Sequence, residues 1–456
     1  MHKTTCRLLT LVLSFTVVGI VAEGETAAAV KPASPYDFNG DGRRDLVTVV
    51  DDKASVIFRR KKGLDLKKPQ KYSLHAGMTG PETMASADFD RDGYADLAVG
   101  DDGAVGTFNQ ITVVVVFGGK NGLSKRRFRY RPPVKGLAID LSVADFERDG
   151  YPDLLVGSSY HAYVMRGGPK IATKRPALVS VPNVNTVPQG SSPGGANYLI
   201  STTAGDFTGD GHPDVVSIAQ GARIGLSRGS VEGPRSMVWW DAPVPIDPGG
   251  KISSGDLDGD GYTDLVIAMD INEKAPDGGH FTVLYGSQTG LRARPGKTRI
   301  TQSTPGVPGT GRSGEGFGSG PLAVQDVNGD GYADVAVGVR YKKLGEYRQA
   351  GAVWMLYGSR KGLTGKNSQM FTVNTPGVPG KLGNRQFGRE LALLDVRGDS
   401  RPDLIVETGH GEARFNAVTI LSGTKKGVTT KKALFVTSEK TTAKVGSFAL
   451  FGILPR

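Results

Sequence analysis

The residues of this sequence that could do chemistry are aspartates, and they recur in one nine-residue phrase. In its best copies, at 88–96, 256–264 and 326–334, the phrase reads D-x-[DN]-x-D-G-x-x-D, and apolar residues follow it. Seven copies at an interval of about 60 residues indicate one structural unit repeated along the chain. The copies, which we number loops 1–7, begin at Asp37, Asp88, Asp145, Asp206, Asp256, Asp326 and Asp395.

Each copy gathers oxygen atoms on a single turn. Side chains at positions 1, 3, 5 and 9 supply carboxylate or amide oxygens, position 7 supplies a backbone carbonyl, and Gly at position 6 permits a sharp bend. A flexible cage of oxygens is the coordination that calcium prefers. Three or four carboxylates this close repel one another strongly when no cation is present, which argues against simple solvated turns. We therefore predict Ca²⁺ as the cofactor, with four to six structural ions.

The loops are not equivalent. Loops 1, 2, 5 and 6 are complete, whereas Glu147 and Thr208 stand at position 3 of loops 3 and 4. Loop 7 has Arg397 at position 3 and Ser400 in place of Gly, so we expect no full-affinity site there. The predicted metal ligands are Asp37, Asn39, Asp41, Arg43, Asp45, Asp88, Asp90, Asp92, Tyr94, Asp96, Asp145, Glu147, Asp149, Tyr151, Asp153, Asp206, Thr208, Asp210, His212, Asp214, Asp256, Asp258, Asp260, Tyr262, Asp264, Asp326, Asn328, Asp330, Tyr332 and Asp334.

Two other calcium modules fit the sequence less well. An EF-hand needs Glu at position 12 of the loop, where this chain has Thr, Val, Ser or Ile. A dockerin-like module would continue as a helix, whereas the stretches DLAVG, DLVIA and DVAVG that follow the loops are typical of strands.

The elements that must position the loops are short strands. An apolar strand and a Gly turn follow the first Asp of each loop by about 25 to 36 residues, as at 112–123, 282–291 and 353–363. Each unit thus has four strands in about 60 residues, which is one propeller blade. We predict an all-β fold: a single seven-bladed β-propeller over 30–456, with four antiparallel strands per blade. The C-terminal stretch 446–453 is expected to complete the first blade and close the ring.

The loops and strand order resemble the FG-GAP repeat family. The dipeptide that names the family is present at Phe317-Gly318 and Phe387-Gly388, nine and eight residues before loops 6 and 7. The resemblance implies a calcium-binding propeller like those of integrin α-subunits and of many secreted bacterial proteins. Members of the family serve as adhesins, lectins and enzyme-associated modules, so the resemblance is specific for fold and not for function.

The first 29 residues have the pattern of a secretory signal peptide. His2, Lys3 and Arg7 precede an uncharged apolar stretch at 8–22, and an A-x-A cleavage site follows at 26–29. The single cysteine of the chain lies in this leader, so metal loops replace disulfides in the mature protein. No later segment is apolar enough to span a membrane. We expect a monomer that is secreted, either extracellular or associated with the cell wall.

The net charge of +11 conceals a segregation of charge. The seven loops contain 24 carboxylates, which leaves 19 acidic against 54 basic residues in the rest of the mature chain. Basic residues concentrate in the last strands of blades, at 67–72, 125–131, 292–299 and 430–435. Two interpretations stay open: charge that protects edge strands from pairing, or a basic rim that binds an anionic cell-surface polymer or glycan. No nucleic-acid module is recognisable, and no nucleic-acid partner is expected.

We therefore predict a binding or adhesion module without catalytic activity. The alternative is a calcium-dependent, lyase-like enzyme that degrades polysaccharides on a propeller scaffold. Such an enzyme would need Lys, Arg, Tyr or His side chains from different blades to converge at one mouth of the propeller. A sequence does not show which blades bring side chains together.

Four shorter motifs carry less weight. The G-x-S-x-G at 225–229 lacks the strand–turn–helix context of a nucleophile elbow, and the G-x-G-x-x-G at 309–314 lacks a βαβ unit. The tripeptide Arg-Gly-Asp at 397–399 lies inside the degenerate loop 7. Trp239 and Trp240 could stack on a sugar, but opposite faces of one blade strand explain the pair better.

Overall fold

The computed structural model describes residues 31–437 with internal gaps. The gaps are at 51, 76–77, 79–80, 102–110, 132–138, 172–177, 186–198, 220–221, 244–247, 270–277, 381–385 and 409–416. The predicted signal peptide at 1–29 and the predicted closing strand at 446–453 lie outside the described residues.

The described strands form eight antiparallel sheets: seven are blades, which we number 1–7 in chain order, and the eighth is a two-stranded hairpin that follows the second described strand of blade 1. Blade 1 contains Leu46–Val50, Lys53–Ile57 and Gln70–Ser73, with a small hairpin of Arg59–Arg60 and Gly63–Leu64; blade 2 contains Pro81–Ala87, Asp96–Asp101, Thr112–Val116 and Arg127–Tyr130; blade 3 contains Ile139–Ala144, Asp153–Ser158, Ala162–Met165 and Leu178–Ser180; blade 4 contains Leu199–Gly205, Asp214–Ala219, Arg223–Ser227 and Val238–Asp241; blade 5 contains Pro248–Gly255, Asp264–Met269, His280–Leu284 and Arg299–Thr301; blade 6 contains Leu322–Gln325, Asp334–Val339, Ala352–Tyr357 and Thr364–Phe371; blade 7 contains Leu391–Leu394, Asp403–Thr408, Ala417–Thr424 and Gly427–Thr437.

The prediction of a seven-bladed β-propeller with four-stranded blades is confirmed. In blades 2–7 each strand pairs antiparallel with the next one along the chain. The first strands of neighbouring blades contact one another, so they lie innermost, around the central axis. Blade 1 has three described strands, and its first strand follows loop 1. Every acidic loop therefore leads into a strand at the same end of the propeller.

Apolar packing between blades holds the ring together. The second strand of blades 2–7 is buried at every residue because it is covered on both faces by neighbouring blades. The largest core cluster joins side chains of three blades, for example Ile405 of blade 7, Val56 of blade 1 and Leu97 of blade 2. Blade 7 thus packs against blade 1, and the ring closes through this core.

The Phe-Gly dipeptides cross from one blade to the next. Phe317 is buried against Phe281 of blade 5 and Trp354 of blade 6, with ring centroids 5.9 and 5.4 Å apart. Gly318 has a φ of +84°, and a Cβ atom there would lie 2.2 Å from the carbonyl oxygen of His280. Only glycine fits so close to the neighbouring backbone.

The outer strands present their charges to solvent. In Arg127–Tyr130 the two Arg side chains are exposed, whereas Phe128 and Tyr130 pack against the core, as the alternation predicts. Trp239 and Trp240 likewise pack against two different core clusters, one on each side of blade 4. The Trp pair is therefore an inter-blade packing feature.

All described secondary structure is β. Within the residues that the structure places, there is no helix, and hence none long and apolar enough to cross a membrane.

Candidate functional site

All seven acidic loops have the same backbone conformation, and the sequence explains why. Position 2 is a buried apolar residue in every loop, which anchors the turn to the core. Positions 4 and 6 both have positive φ, and Gly occupies position 6 of loops 1–6 with φ between +77° and +91°. In loop 7 the non-glycine Ser400 has a φ of +66°, so that loop keeps the shape at a conformational cost of about 1 kcal/mol.

The first and last aspartates of each loop organise the backbone. In loop 2, Asp88 accepts hydrogen bonds from the N–H groups of Asp92 and Gly93, at 3.0 and 3.1 Å. Asp96 accepts one from Phe89 and one from Gly118, which lies two residues after the third strand, both at 2.9 Å. Equivalent bonds recur around the ring, for example to Asp256 and Asp264 in loop 5. These carboxylates therefore have fixed positions before any ligand binds.

The predicted ligands come closest together in loops 2 and 5. Asp88, Asp90 and Asp96 can place one oxygen each within 4.8 Å of one another, and so can Asp256, Asp258 and Asp260. Elsewhere in the described chain no set of three His, Cys, Asp or Glu meets that distance. Loops 1, 4 and 6 have Asn39, Thr208 and Asn328 at position 3, which supply oxygen without a carboxylate.

Position 7 is held at the site by its own N–H group, which donates to the position 5 carboxylate. The distances lie between 2.9 and 3.1 Å for Arg43, Tyr94, Tyr151, His212, Tyr262 and Tyr332. The predicted backbone ligand therefore sits in the loop in all six cases.

Two buried oxygens at position 3 fit a cation. The Oδ1 atom of Asp90 and the Oγ1 atom of Thr208 are buried and have no hydrogen-bond partner in the described structure. A buried polar atom without a partner costs free energy, which a bound cation would offset. Both atoms stand where the sequence predicts a calcium ligand, so the all-oxygen donor set fits Ca²⁺.

Burial shifts the titration of the loop carboxyls. It raises the pKa of Asp264 and of Asp334 to about 8, and that of Asp90 to about 6, where the neighbouring Asp92 carboxylate adds to the increase. A divalent cation counters this shift because it stabilises the ionised form. Without a cation, the raised pKa values of Asp264 and Asp334 favour protonated carboxyls near neutral pH, and a bound cation would shift both groups to the ionised form that can coordinate it.

Two arginines that the sequence reading did not single out face the loops. Arg126 contacts Asp90 and Asp92 at 3.5 and 2.7 Å, and Arg294 contacts Asp258 and Asp260. Both lie 38 residues after the first Asp of their loop, a spacing that could have revealed them. They approach the outer Oδ2 atoms and leave the Oδ1 atom of Asp90 unbonded.

In loop 3 an arginine contacts the position 3 side chain, and in loop 7 the position 3 residue is itself an arginine. Glu147 of loop 3 pairs with Arg166 at 2.6 Å. In loop 7 the Arg397 side chain turns inward, with its Nε atom 3.4 Å from Asp403, and Asp399 pairs with Arg401. Both charged residues of the Arg-Gly-Asp tripeptide therefore form ion pairs within their own loop.

The loops also link neighbouring blades. The carbonyl oxygen of position 1 accepts a hydrogen bond from position 8 of the next loop, for example Asp206 from Thr263 at 2.8 Å and Asp256 from Ala333 at 2.7 Å. The Tyr262 ring lies over Gly209 of the preceding loop, where a Cβ atom would come within 2.4 Å of it. An ion that stiffens one loop therefore stiffens a blade-to-blade contact.

A second group of charged residues lies at the opposite end of the central axis. Asp140 and Lys251, on the first strands of blades 3 and 5, form an ion pair of 2.7 Å. Burial and the nearby Glu407 raise the pKa of Glu390 to about 8, while Arg340, Arg389 and Lys251 act in the opposite sense. Side chains of blades 3, 5, 6 and 7 thus converge at this mouth, and no spacing in the sequence predicts it.

The G-x-S-x-G motif is structural. Ser227 is fully buried at the end of a blade 4 strand, and its hydroxyl donates to the carbonyl oxygen of Arg235. The third strand and its Gly turn surround the motif, without a following helix among the described residues.

Two family models match segments of the chain that contain the acidic loops. A model described as FG-GAP-like repeat matches residues 37–99, and one described as FG-GAP repeat matches 248–270 and 317–356. The matched segments contain loops 1, 2, 5 and 6, the four with an unbroken motif. The chain therefore contains FG-GAP repeats in these segments. Relatives named integrin α are also similar to part of this chain.

Two curated relatives illustrate the range of proteins that this chain resembles in part. Integrin alpha-PS2 of Drosophila melanogaster is 31% identical over 229 residues, which cover 46% of this chain and 15% of that protein. Phosphatidylinositol-glycan-specific phospholipase D of Homo sapiens is 32% identical over 164 residues, which cover 35% of this chain and 18% of that protein. The FG-GAP chain thus matches less than a fifth of the length of either relative.

One solved structure supports the fold. An Agrocybe aegerita lectin that recognises non-reducing terminal N-acetylglucosamine superposes with a TM-score of 0.54 at 16% identity, covering 88% of this chain and 91% of the lectin chain. At this identity the likeness shows a shared fold and nothing about the ligand.

Proposed function

We propose that this FG-GAP propeller is a secreted, calcium-stabilised binding module that adheres to anionic cell-surface or extracellular polymers. The observation that carries the calcium part is the buried position 3 oxygen of Asp90, which has no hydrogen-bond partner and faces two further carboxylates. Loops 1, 2, 5 and 6 would hold calcium with full ligand sets. Loops 3 and 4 would add up to two more ions, and loop 7 none.

The binding role rests on the scaffold and its charge. A propeller is a scaffold that hosts many binding functions, and relatives named integrin α are similar to part of this chain. Once calcium has neutralised the loops, the remaining surface is strongly basic. A basic surface selects anionic partners, such as acidic polysaccharides or phosphate-containing wall polymers.

A polymer-binding array with product analysis tests this function. The mature protein, in calcium, is applied to acidic and neutral glycans and to wall polymers. We expect retention on anionic polymers, loss of retention in high salt, and intact polymer after incubation. Retention on neutral polymers only would contradict the proposed partner class.

A polysaccharide-degrading enzyme is the second candidate, and the charged mouth formed by Asp140, Lys251 and Glu390 favours it. A carboxyl with a pKa of about 8 is protonated at neutral pH and could act as a general acid beside a lysine. The product analysis separates the candidates: depolymerisation that Glu390→Gln abolishes would identify an enzyme. Intact polymer would support the binding module.

A further inference from the structure

The outer surface between blades 1 and 2 contains a groove of about 600 Å³. Its walls are the outer strand Gln70–Ser73 of blade 1 and the Gly turn and outer strand of blade 2. Gln70 joins the two walls because its amide donates to the carbonyl of Leu123 at 2.8 Å and accepts from the N–H of Leu123 at 2.9 Å. The groove is therefore built into the blade contact, and its volume falls in the range of small-ligand clefts, about 300–1,000 Å³.

Among the residues that the structure describes, basic side chains line the groove and no carboxylate does. Lys71, His75, Lys125 and Arg127 line it and are exposed. Three of these residues are cations that form no ion pair with any described residue: Lys71, Lys125 and Arg127. The adjacent Arg126 differs, since it turns away to the carboxylates of loop 2. Three cations thus face solvent across one cleft, where their mutual repulsion favours an anionic ligand.

The surrounding surface extends the positive charge. The stretch 59–71 contains seven basic residues and one acidic residue, and the stretch 120–131 contains six basic residues and no acidic one. Edge protection needs only scattered charge on the outer strands. It does not account for a cleft between two blades that concentrates one sign of charge.

Tyr72 adds an aromatic surface to the groove. The ring is half-buried, and its hydroxyl accepts a hydrogen bond of 3.2 Å from the Arg127 guanidinium. This bond holds the guanidinium over the cleft, where it can present paired N–H donors to a carboxylate or sulfate. A sugar ring can pack against the aromatic face while its acidic group contacts the cations.

We propose that the groove between blades 1 and 2 binds a short segment of an acidic polysaccharide, through carboxylate or sulfate groups. The inference rests on the proposed function and names the part of the surface where the anionic polymer would bind. One aromatic ring in a cleft of this size suits one or two sugars of a chain. A nucleic acid would need several interleaved aromatics along a longer track.

The experiment compares two triple variants of the full mature protein in calcium. Lys71→Gln, Lys125→Gln and Arg127→Gln together neutralise the groove. Arg360→Gln, Lys361→Gln and Lys425→Gln remove the same charge from exposed Gly turns of blades 6 and 7, as a matched control. Binding to immobilised hyaluronan, heparin, neutral dextran and a single-stranded DNA is measured over a range of NaCl concentrations, after both variants are shown to melt like the wild type.

We expect the groove variant to bind hyaluronan or heparin at least about tenfold more weakly, with a flatter salt dependence, and the control to bind like the wild type. Equal affinity of groove variant and control would overturn the groove and leave the proposed function intact. Failure of the wild type to bind any anionic polymer would overturn the proposed partner class as well. DNA binding as tight as glycan binding would overturn the assignment to polysaccharide.

Discussion

At the scale of single residues, the first and last carboxylates of a loop have two roles. Asp88 and Asp96 hold the turn through backbone hydrogen bonds, and the same side chains supply oxygen atoms to the predicted cation. Loss of such a residue therefore disturbs the fold as well as the metal site. A useful test changes a residue whose structural role is the same in a filled and in an empty loop.

Position 5 meets that requirement. Asp260 of loop 5 and Asp399 of loop 7 each accept a hydrogen bond from the backbone N–H of position 7, at 3.1 and 3.2 Å, and each also pairs with one arginine, at 3.2 and 3.1 Å. We predict that Asp260→Ala removes one bound Ca²⁺ per chain and that Asp399→Ala removes none, because loop 7 has an arginine in the ligand set. Calcium content after gel filtration, measured by elemental analysis, checks this. An equal loss in both variants would show that loop 7 also binds calcium.

The charged mouth predicts a pH dependence. The pKa of Glu390, about 8, lies above the ordinary value for Glu, so the folded state holds a proton that the unfolded state releases. This contribution to stability is complete below the ordinary pKa and is lost as pH rises through 8. Glu407, Arg340, Arg389 and Lys251 face the group, and Asp140 pairs with Lys251.

Glu390→Gln removes this titration. Relative to the wild type, we expect the variant to become more stable as pH rises from 5 to 9, by about 1–2 kcal/mol after allowance for solvent and the nearby cations. Urea unfolding at matched pH values measures the difference between the two proteins. A difference that stays constant with pH would contradict the raised pKa of Glu390.

At the scale of elements, the crossings between blades carry the tightest constraints. Phe317 fills the space between blades 5 and 6, and Gly318 passes close to the His280 carbonyl. The dipeptide is therefore a packing device that sets how one blade leads into the next.

We predict that Gly318→Ala destabilises the protein by about 2–4 kcal/mol, because a positive φ and a backbone clash combine there. Gly314→Ala is the matched control: its φ is +78°, but a Cβ atom would meet nothing within 4 Å, so we expect a loss of about 1 kcal/mol. Chemical denaturation measures both. Equal losses would mean that the blade crossing tolerates a side chain.

The elements were largely predictable because the repeat is local. Asp-rich turns, buried second strands and Gly turns all lie within about 60 residues, and the sequence shows each of them. Long-range contacts were not predictable. The approach of Arg126 to loop 2, the ion pair of Asp140 with Lys251, and the clamp of Gln70 on Leu123 depend on how blades sit beside one another.

At the scale of the whole molecule, charge is divided between two regions. Carboxylates cluster in loops at one end of the blades, and basic side chains that form no ion pair with any described residue line the groove between blades 1 and 2. The described part of the ring closes by apolar packing of blade 7 on blade 1. The strand predicted at 446–453 stays a prediction, since it lies outside the described residues.

Calcium is expected to stabilise the whole ring because the loops are hydrogen-bonded to one another from blade to blade. Ligand-linked stabilisation is about 2.7 kcal/mol for each site when calcium is at 100 times its dissociation constant, and four or more sites add together.

Thermal unfolding of the mature protein, in millimolar calcium and in EGTA with magnesium present, is the most direct test. We predict that the melting midpoint falls by at least about 10 °C in EGTA and returns when calcium is restored. An unchanged midpoint would contradict the account of the acidic loops as structural calcium sites.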